Sequence, residues 1–288
     1  MLTPGASMRA VVWTRYGPAE GLVLTEVPRP VPNDRQVLVK VRAATVTAGD
    51  CELRSLRGPL GFRVLVRLLM GPIRPRRQIL GQELAGDVEA VGRSVTELRV
   101  GDRVFGTTGF GFGAYAEYVC LSPGAMGTVV TRMPINMSYD EAATVPTGGL
   151  EAFGLLRRAP GLAGRRVLIV GAAGGIGSFA VQLAKHAGAE VSGVDSGPKL
   201  ELVRALGADH LIDFLNEDFT KGSERYDVIF DAVGKSRWAG CLDSLRPGGC
   251  YLVGNPDLRA RLGGLRRSRS HGRRVMIGPS SRSIDDLN

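Results

Sequence analysis

The sequence predicts an α/β chain in two parts, a β-rich domain of short strands followed by a doubly wound parallel sheet. Three observations predict it. Up to about residue 134, short runs of β-forming residues alternate with Pro, Gly, Asn and Asp. Residues 165–199 then read as strand, glycine turn, helix, second strand and acidic residue. Apolar runs at 211–214, 227–234 and 249–254 follow, as further buried strands would. The 288 residues suit two domains of the usual ~100–200 residues each. An apolar content of 44% is enough for real cores and excludes a disordered chain.

The β-rich domain is expected over 8–134. Its strands fall at 10–13, 22–27, 37–41, 86–91, 103–105 and 115–121, separated by turns such as Pro32-Asn33-Asp34 and Gly101-Asp102. Many short strands with regular turns suggest a barrel or a sandwich. Residues 54–77 interrupt the pattern. Phe62, Leu65, Val66, Leu69 and Met70 approximate one helical face, with Arg63 and Arg67 beside it. Such a helix is either a lid or membrane-surface element that recognises an apolar substrate, or an insertion packed on the barrel; sequence alone favours the insertion. Connecting helices and a linker are expected over 135–164. Ser138 and Glu141 match a capping box that starts a helix leading to Pro146-Thr147-Gly148-Gly149, with a second helical segment at 150–158.

The nucleotide half is expected over 165–288. Val167 to Val170 form an apolar run, as a strand buried on both faces would. Gly171, Ala172, Gly174, Gly175, Ile176 and Gly177 make the turn. On the G-x-G-x-x-G template, alanine stands at the first position, Ala172, with Gly174 and Gly177 after it. Glycine matters there because a diphosphate must approach the backbone and rest on the free N–H groups of the helix start. The strand at 190–194 ends in Asp195, where an acid is placed to bind a ribose hydroxyl. Ligands of open α/β sheets sit at the carboxyl ends of strands, which also puts Val233, Gly234, Val253 and Gly254 near the cofactor. Asp195 favours NAD, whereas Ser196 and Lys199 suit the 2′-phosphate of NADP. The balance leans to NADP.

Bulk properties narrow the function. The net charge of +9 is local: seven arginines lie at 54–77 and seven more at 259–274, with no acid in either stretch. The rest of the chain is net acidic, so the whole surface is not a nucleic-acid platform. The arginine-rich segment 256–274 reads as a solvated loop, with RNA or an anionic surface as the alternative. Cys51, Cys120, Cys241 and Cys250 form neither a C-x-x-C pair nor a disulfide framework, and with His186, His210 and His271 they form no metal cluster. No apolar stretch reaches a membrane span and no signal segment is visible, so a cytoplasmic protein is expected, with residues 1–7 as a leader or early start.

Several ordered motifs carry a family resemblance: Gly81-Gln82-Glu83-Leu84-Ala85-Gly86, Val100-Gly101-Asp102-Arg103-Val104, Gly113-Ala114-Tyr115-Ala116-Glu117-Tyr118, Val145-Pro146-Thr147-Gly148-Gly149-Leu150 and the glycine turn. From about Met8 to Asn255 the chain resembles the medium-chain dehydrogenase/reductase superfamily, and within it the zinc-free quinone-oxidoreductase-like branch. The resemblance implies a GroES-like barrel followed by a Rossmann domain, the nicotinamide between them, and NAD(P)H-dependent reduction of a small-molecule quinone or activated enone. Thr47 and Gln82 stand where zinc-dependent members place a cysteine and a histidine, so no metal is expected, and alcohol oxidation is disfavoured because nothing strong stabilises an alkoxide. Thr47 and Asp50 lie in the segment that in this family faces the nicotinamide, Thr47 as hydrogen-bond donor and Asp50 as loop support. Thr147 is expected near the nicotinamide ribose or amide. No proton donor stands out, which leaves solvent. After Asn255 the sequence departs from the family. Its last helix and the segment returning to the barrel are expected to be missing, with a strand at 273–277 and a helix start at 283–288. Two copies are expected to pair along the strand at 273–277. The alternative reading is a truncated, non-catalytic nucleotide-binding module acting as an interaction or RNA-binding protein.

Overall fold

The computed structural model describes residues 5–58, 60–125, 127–254, 273–277 and 286–287. Most of the loop expected at 256–274 and most of the expected last helix start lie outside the described residues. The chain divides into two compact units between Pro146 and Thr147.

In the first unit, β1 (Ser7–Trp13) and β2 (Leu22–Pro28) form an antiparallel hairpin. Next come β3 (Val37–Ala44), α1 (Ala48–Ser55), α2 (Leu60–Met70), β4 (Glu83–Val91), β5 (Arg103–Thr107), β6 (Tyr118–Leu121) and β7 (Val129–Arg132). The five strands pair antiparallel in the order β6-β3-β4-β5-β7. Alternation builds two layers on this sheet. Val37, Val39, Leu84, Val104 and Val119 fill one face, while Ala85 and Phe105 on the other pack against Ala142 and Ala143. The hairpin is stitched on by the Ala10–Ala116 and Val12–Ile79 bridges. Strand β7 was not expected. Leu287 packs in the same cluster as Phe105 and Met133, so the chain does reach this unit again near its end.

One expectation is corrected. The segments read as two helices form one helix, α3 (Tyr139–Leu156), which continues through Pro146. Its start is as expected: Ser138 N–H and Oγ both donate to Glu141 Oε2 at 2.8 Å, and Glu141 N–H donates to Ser138 Oγ at 3.2 Å. The division between units falls within this helix, because Ala142 and Ala143 join the first core and Ala152 and Leu155 the second. The helix read at 54–77 is α2, and it meets the first unit along one side only: Val66 is buried, Met70 packs with Trp13, Leu80 and Phe112, and the Tyr16 hydroxyl donates to Gly71 O at 2.7 Å.

The second unit is a six-stranded parallel sheet in the order β10-β9-β8-β11-β12-β13, built from β8 (Arg166–Val170), β9 (Glu190–Asp195), β10 (His210–Asp213), β11 (Tyr226–Asp231), β12 (Leu245–Val253) and β13 (Arg274–Ile277). Val167, Ile169, Val191 and Phe230 pack under α4 (Gly177–His186), through Ala180, Val181 and Ala184, and against Val203 of α5 (Leu200–Ala205). Leu168, Val194, Ile229 and Tyr251 face the other way, against Cys241 and Leu242 of α6 (Trp238–Asp243). Both faces are covered, which is why the strands read as continuous apolar runs. The chain order reverses between β8 and β11, the point at which such sheets open a crevice at their carboxyl ends.

Candidate dinucleotide site

The turn after β8 sits at that reversal. Gly171 takes the left-handed backbone, with φ +76°, and its N–H and that of Ala172 both donate to Val194 O. The strained position is therefore Gly171, one residue before the template's first glycine, and Ala172 needs no such freedom. At Gly177 the need is for close approach: a Cβ there would lie 2.0 Å from Gly171 O. At Gly175 a Cβ would meet nothing within 4 Å, so the glycine leaves open space. Helix α4 begins here without a side-chain cap. Among the described residues, nothing accepts from the N–H groups of Gly175, Ile176 and Gly177. Consecutive uncapped amides at a helix start, beside open space, fit a diphosphate in charge and in shape.

Asp195 ends β9 and is 5% exposed. Its carboxylate turns toward the turn: Oδ2 accepts from Ala173 N–H at 2.9 Å and Oδ1 from Ser196 N–H at 2.9 Å. Lys199 Nζ lies 3.8 Å from Oδ1 at the end of a half-exposed side chain. Asp231 does the same work at the end of β11. Its Oδ1 accepts from Val233 N–H at 3.1 Å and Gly234 N–H at 2.8 Å, and its Oδ2 from Ser236 N–H and the Tyr251 hydroxyl. Burial first, and then the charge of Asp231, raise the Tyr251 hydroxyl far above the usual phenol range, so it remains a donor. The Gly171 turn touches this loop: a Cβ on Gly171 would lie 2.5 Å from Val233 Cγ2. Gly254 N–H donates to Asp231 O at 3.0 Å, which brings the end of β12 to the same edge. Thr147 lies in α3 beside Gly148, where a Cβ would come within 2.3 Å of Gly175 O.

The structure thus brings together Gly171, Ala172, Gly174, Gly175, Ile176, Gly177, Val233, Gly234, Val253 and Gly254, with Asp195, Ser196 and Lys199 at the neighbouring strand end. Asp231 was missed by sequence reasoning. An acid closing an apolar strand before Ala-Val-Gly was the available signal.

Thr47 and Asp50 belong to the first unit, where they cap α1. Thr47 Oγ1 donates to Asp50 Oδ2 at 2.6 Å and accepts from Asp50 N–H at 3.1 Å, and Thr47 N–H donates to the same Oδ2. The T-x-x-D spacing could have revealed this. A second missed residue is Tyr115. Its hydroxyl and Asp50 Oδ1 are both buried, and the two groups interact. Burial, followed by the charge of Asp50, pushes the Tyr115 phenol far up, so it stays protonated. Gln82 Nε2 donates to Gly109 O at 3.0 Å. No group of His, Cys, Asp and Glu among the described residues could hold a metal ion.

Comparison with known proteins agrees with this layout. Residues 33–135 match the family described as "Alcohol dehydrogenase GroES-like domain", and residues 175–260 the one described as "Zinc-binding dehydrogenase". The chain is 34% identical over 252 residues to a quinone oxidoreductase of Pseudomonas aeruginosa, covering 85% of this chain and 72% of the relative. It is 32% identical over 237 residues to the chloroplastic NADPH-dependent alkenal/one oxidoreductase of Arabidopsis thaliana, covering 79% and 58%. The solved quinone oxidoreductase of Coxiella burnetii superposes with a TM-score of 0.82 at 31% identity, covering 98% of this chain and 86% of that one. The chain belongs to the medium-chain dehydrogenase/reductase superfamily, with quinone- and enone-oxidoreductase relatives. It spans 62% and 58% of the length of two plant relatives it matches.

Proposed function

We propose that this chain is an oxidoreductase that binds NADPH and reduces a quinone or an activated enone or carbonyl by hydride transfer, without a metal ion. The observation that carries the proposal is the set of unsatisfied amides of Gly175, Ile176 and Gly177 opening α4 beside the uncrowded Gly175. The cofactor supplies the hydride; the protein binds and orients. The α4 amides would hold the diphosphate, and Val233, Gly234, Val253, Gly254 and Thr147 would flank the rest of the molecule. Asp195 supports the NADPH preference, because its carboxylate is occupied by loop amides and leaves Ser196 and Lys199 to meet a 2′-phosphate.

A conjugated acceptor spreads the incoming charge, so the chain need only align it, exclude water and donate a hydrogen bond to its oxygen. Thr47 can donate that bond only by trading away the one it gives Asp50, and Asp50 keeps the segment in shape. The proton is taken from solvent. A cytoplasmic location and a homodimer paired along β13, the edge strand of its sheet, belong to the same proposal. The non-catalytic RNA-binding reading finds no support in the comparisons. The test is NADPH oxidation with an ortho-quinone and with an aliphatic enone. Turnover of either supports the proposal. Bound NADPH with turnover of neither contradicts the hydride step.

A further inference from the structure

Helix α2 buries Val66 and packs Met70 on one side, yet it turns further apolar surface outward. At about 100° per residue, Leu60, Val64 and Leu68 fall on the arc away from Val66, the helix's one buried residue, and Leu65 and Leu69 carry the exposed apolar surface round one side toward it. Leu60, Leu68 and Leu69 are 73%, 70% and 69% exposed, and Ile73 just beyond the helix is 85% exposed. A helix facing water would carry polar groups on this arc. A contiguous apolar face of this kind marks an interaction site, whereas scattered surface leucines do not.

The surroundings say what covers it. Arg63 and Arg67 flank the stripe on the helix itself, Arg57 precedes it, and Arg74 and Arg76 follow, all exposed. There is no acid anywhere in 54–77. Among the described residues Arg57, Arg63, Arg74 and Arg76 enter no ion pair. We propose that α2 and its arginine flanks dock on an anionic lipid surface, the leucines entering the acyl boundary and the guanidinium groups meeting lipid phosphates. With 11 residues the helix is far too short to span a bilayer, and no described helix could cross one, so it lies in the plane of the interface. Charge selects lipid over a second copy of the chain, since a twofold contact would set one all-basic patch against another. This inference does not depend on the reductase proposal.

The test is co-sedimentation of the whole protein with vesicles of phosphatidylcholine alone and with vesicles containing about 30% phosphatidylglycerol. Binding should be at least about tenfold stronger to the anionic vesicles and should fall as salt rises. Arg63→Ser with Arg74→Ser should lower it by on the order of tenfold. Leu65→Ser with Leu68→Ser should lower it by a similar factor or more. These side chains are exposed, so the variants should keep the parent's melting temperature, which is measured alongside. Equal binding to both vesicle types, no binding, or binding unchanged in both variants would overturn the proposal. So would a concentration-dependent dimer that the leucine variant converts to monomer without any vesicle binding, which would assign the face to a second copy.

Discussion

The Asp195 carboxylate accepts the Ala173 amide at 2.9 Å, tying the end of β9 to the glycine turn after β8. The acid at this strand end therefore shapes the turn that opens α4, besides any contact with a ribose. Removing it leaves the Ala173 and Ser196 amides without their acceptor. Asp195→Ala should cost about 1–3 kcal/mol of stability and weaken NADPH and NADH binding together. Chemical denaturation and titration with both nucleotides check this. A selective loss of NADH alone would instead assign Asp195 to the ribose.

Lys199 is the cation beside that carboxylate, and its side chain is half exposed. Lys199→Ala should weaken NADPH binding by on the order of tenfold and leave NADH binding and the melting temperature nearly unchanged. The ratio of the two dissociation constants is the readout.

Acid should weaken the first unit through two carboxylates. Burial opposes ionisation of Asp87, but hydrogen bonds from Tyr139 and Arg42 outweigh it and hold the group below the usual range. The Arg99 amide is the main cause at Asp102, which burial opposes and Arg132 assists, again with a lowered result. A folded pKa below the unfolded value of about 3.9 means stability that is complete above that pH and lost as pH falls through the folded value. Asp87→Asn and Asp102→Asn should each be less stable than the parent at neutral pH, and the gap should close in acid. Urea midpoints across that range measure it. A gap that widens in acid would refute it.

The cysteines should separate by reactivity. Burial pushes the Cys120, Cys241 and Cys250 thiols up to about 11. Cys51 is exposed. Iodoacetamide near neutral pH should label Cys51 first and Cys241 and Cys250 only in denaturant. Mass spectrometry of the peptides reads the order.

Much of this architecture is legible in the sequence because buried parallel strands leave uninterrupted apolar runs, as Val167 to Val170 does, and because a helix start needs its cap, as at Ser138 and Glu141. What was not legible depended on tertiary context. Pro146 reads as a helix break, since it lacks an N–H, yet packing of Ala142 on one side and Leu155 on the other carries α3 through it. Strand β7 is four residues and leaves too short a pattern. Asp231 gains its role from donors at 233, 234, 236 and 251, which only the fold assembles. Helical periodicity located α2 but cannot say whether its apolar side faces a core or the outside.

The central claim is that the amides opening α4 hold a diphosphate, and Gly175 tests it most directly because a methyl group there meets no protein atom within 4 Å. At about 100 times its dissociation constant, NADPH should stabilise the parent by about 2.7 kcal/mol, a rise in melting temperature of roughly 5–10 °C. Gly175→Ala should melt where the parent melts without nucleotide and show little of that rise. No rise in the parent, or the same rise in the variant, would contradict the account.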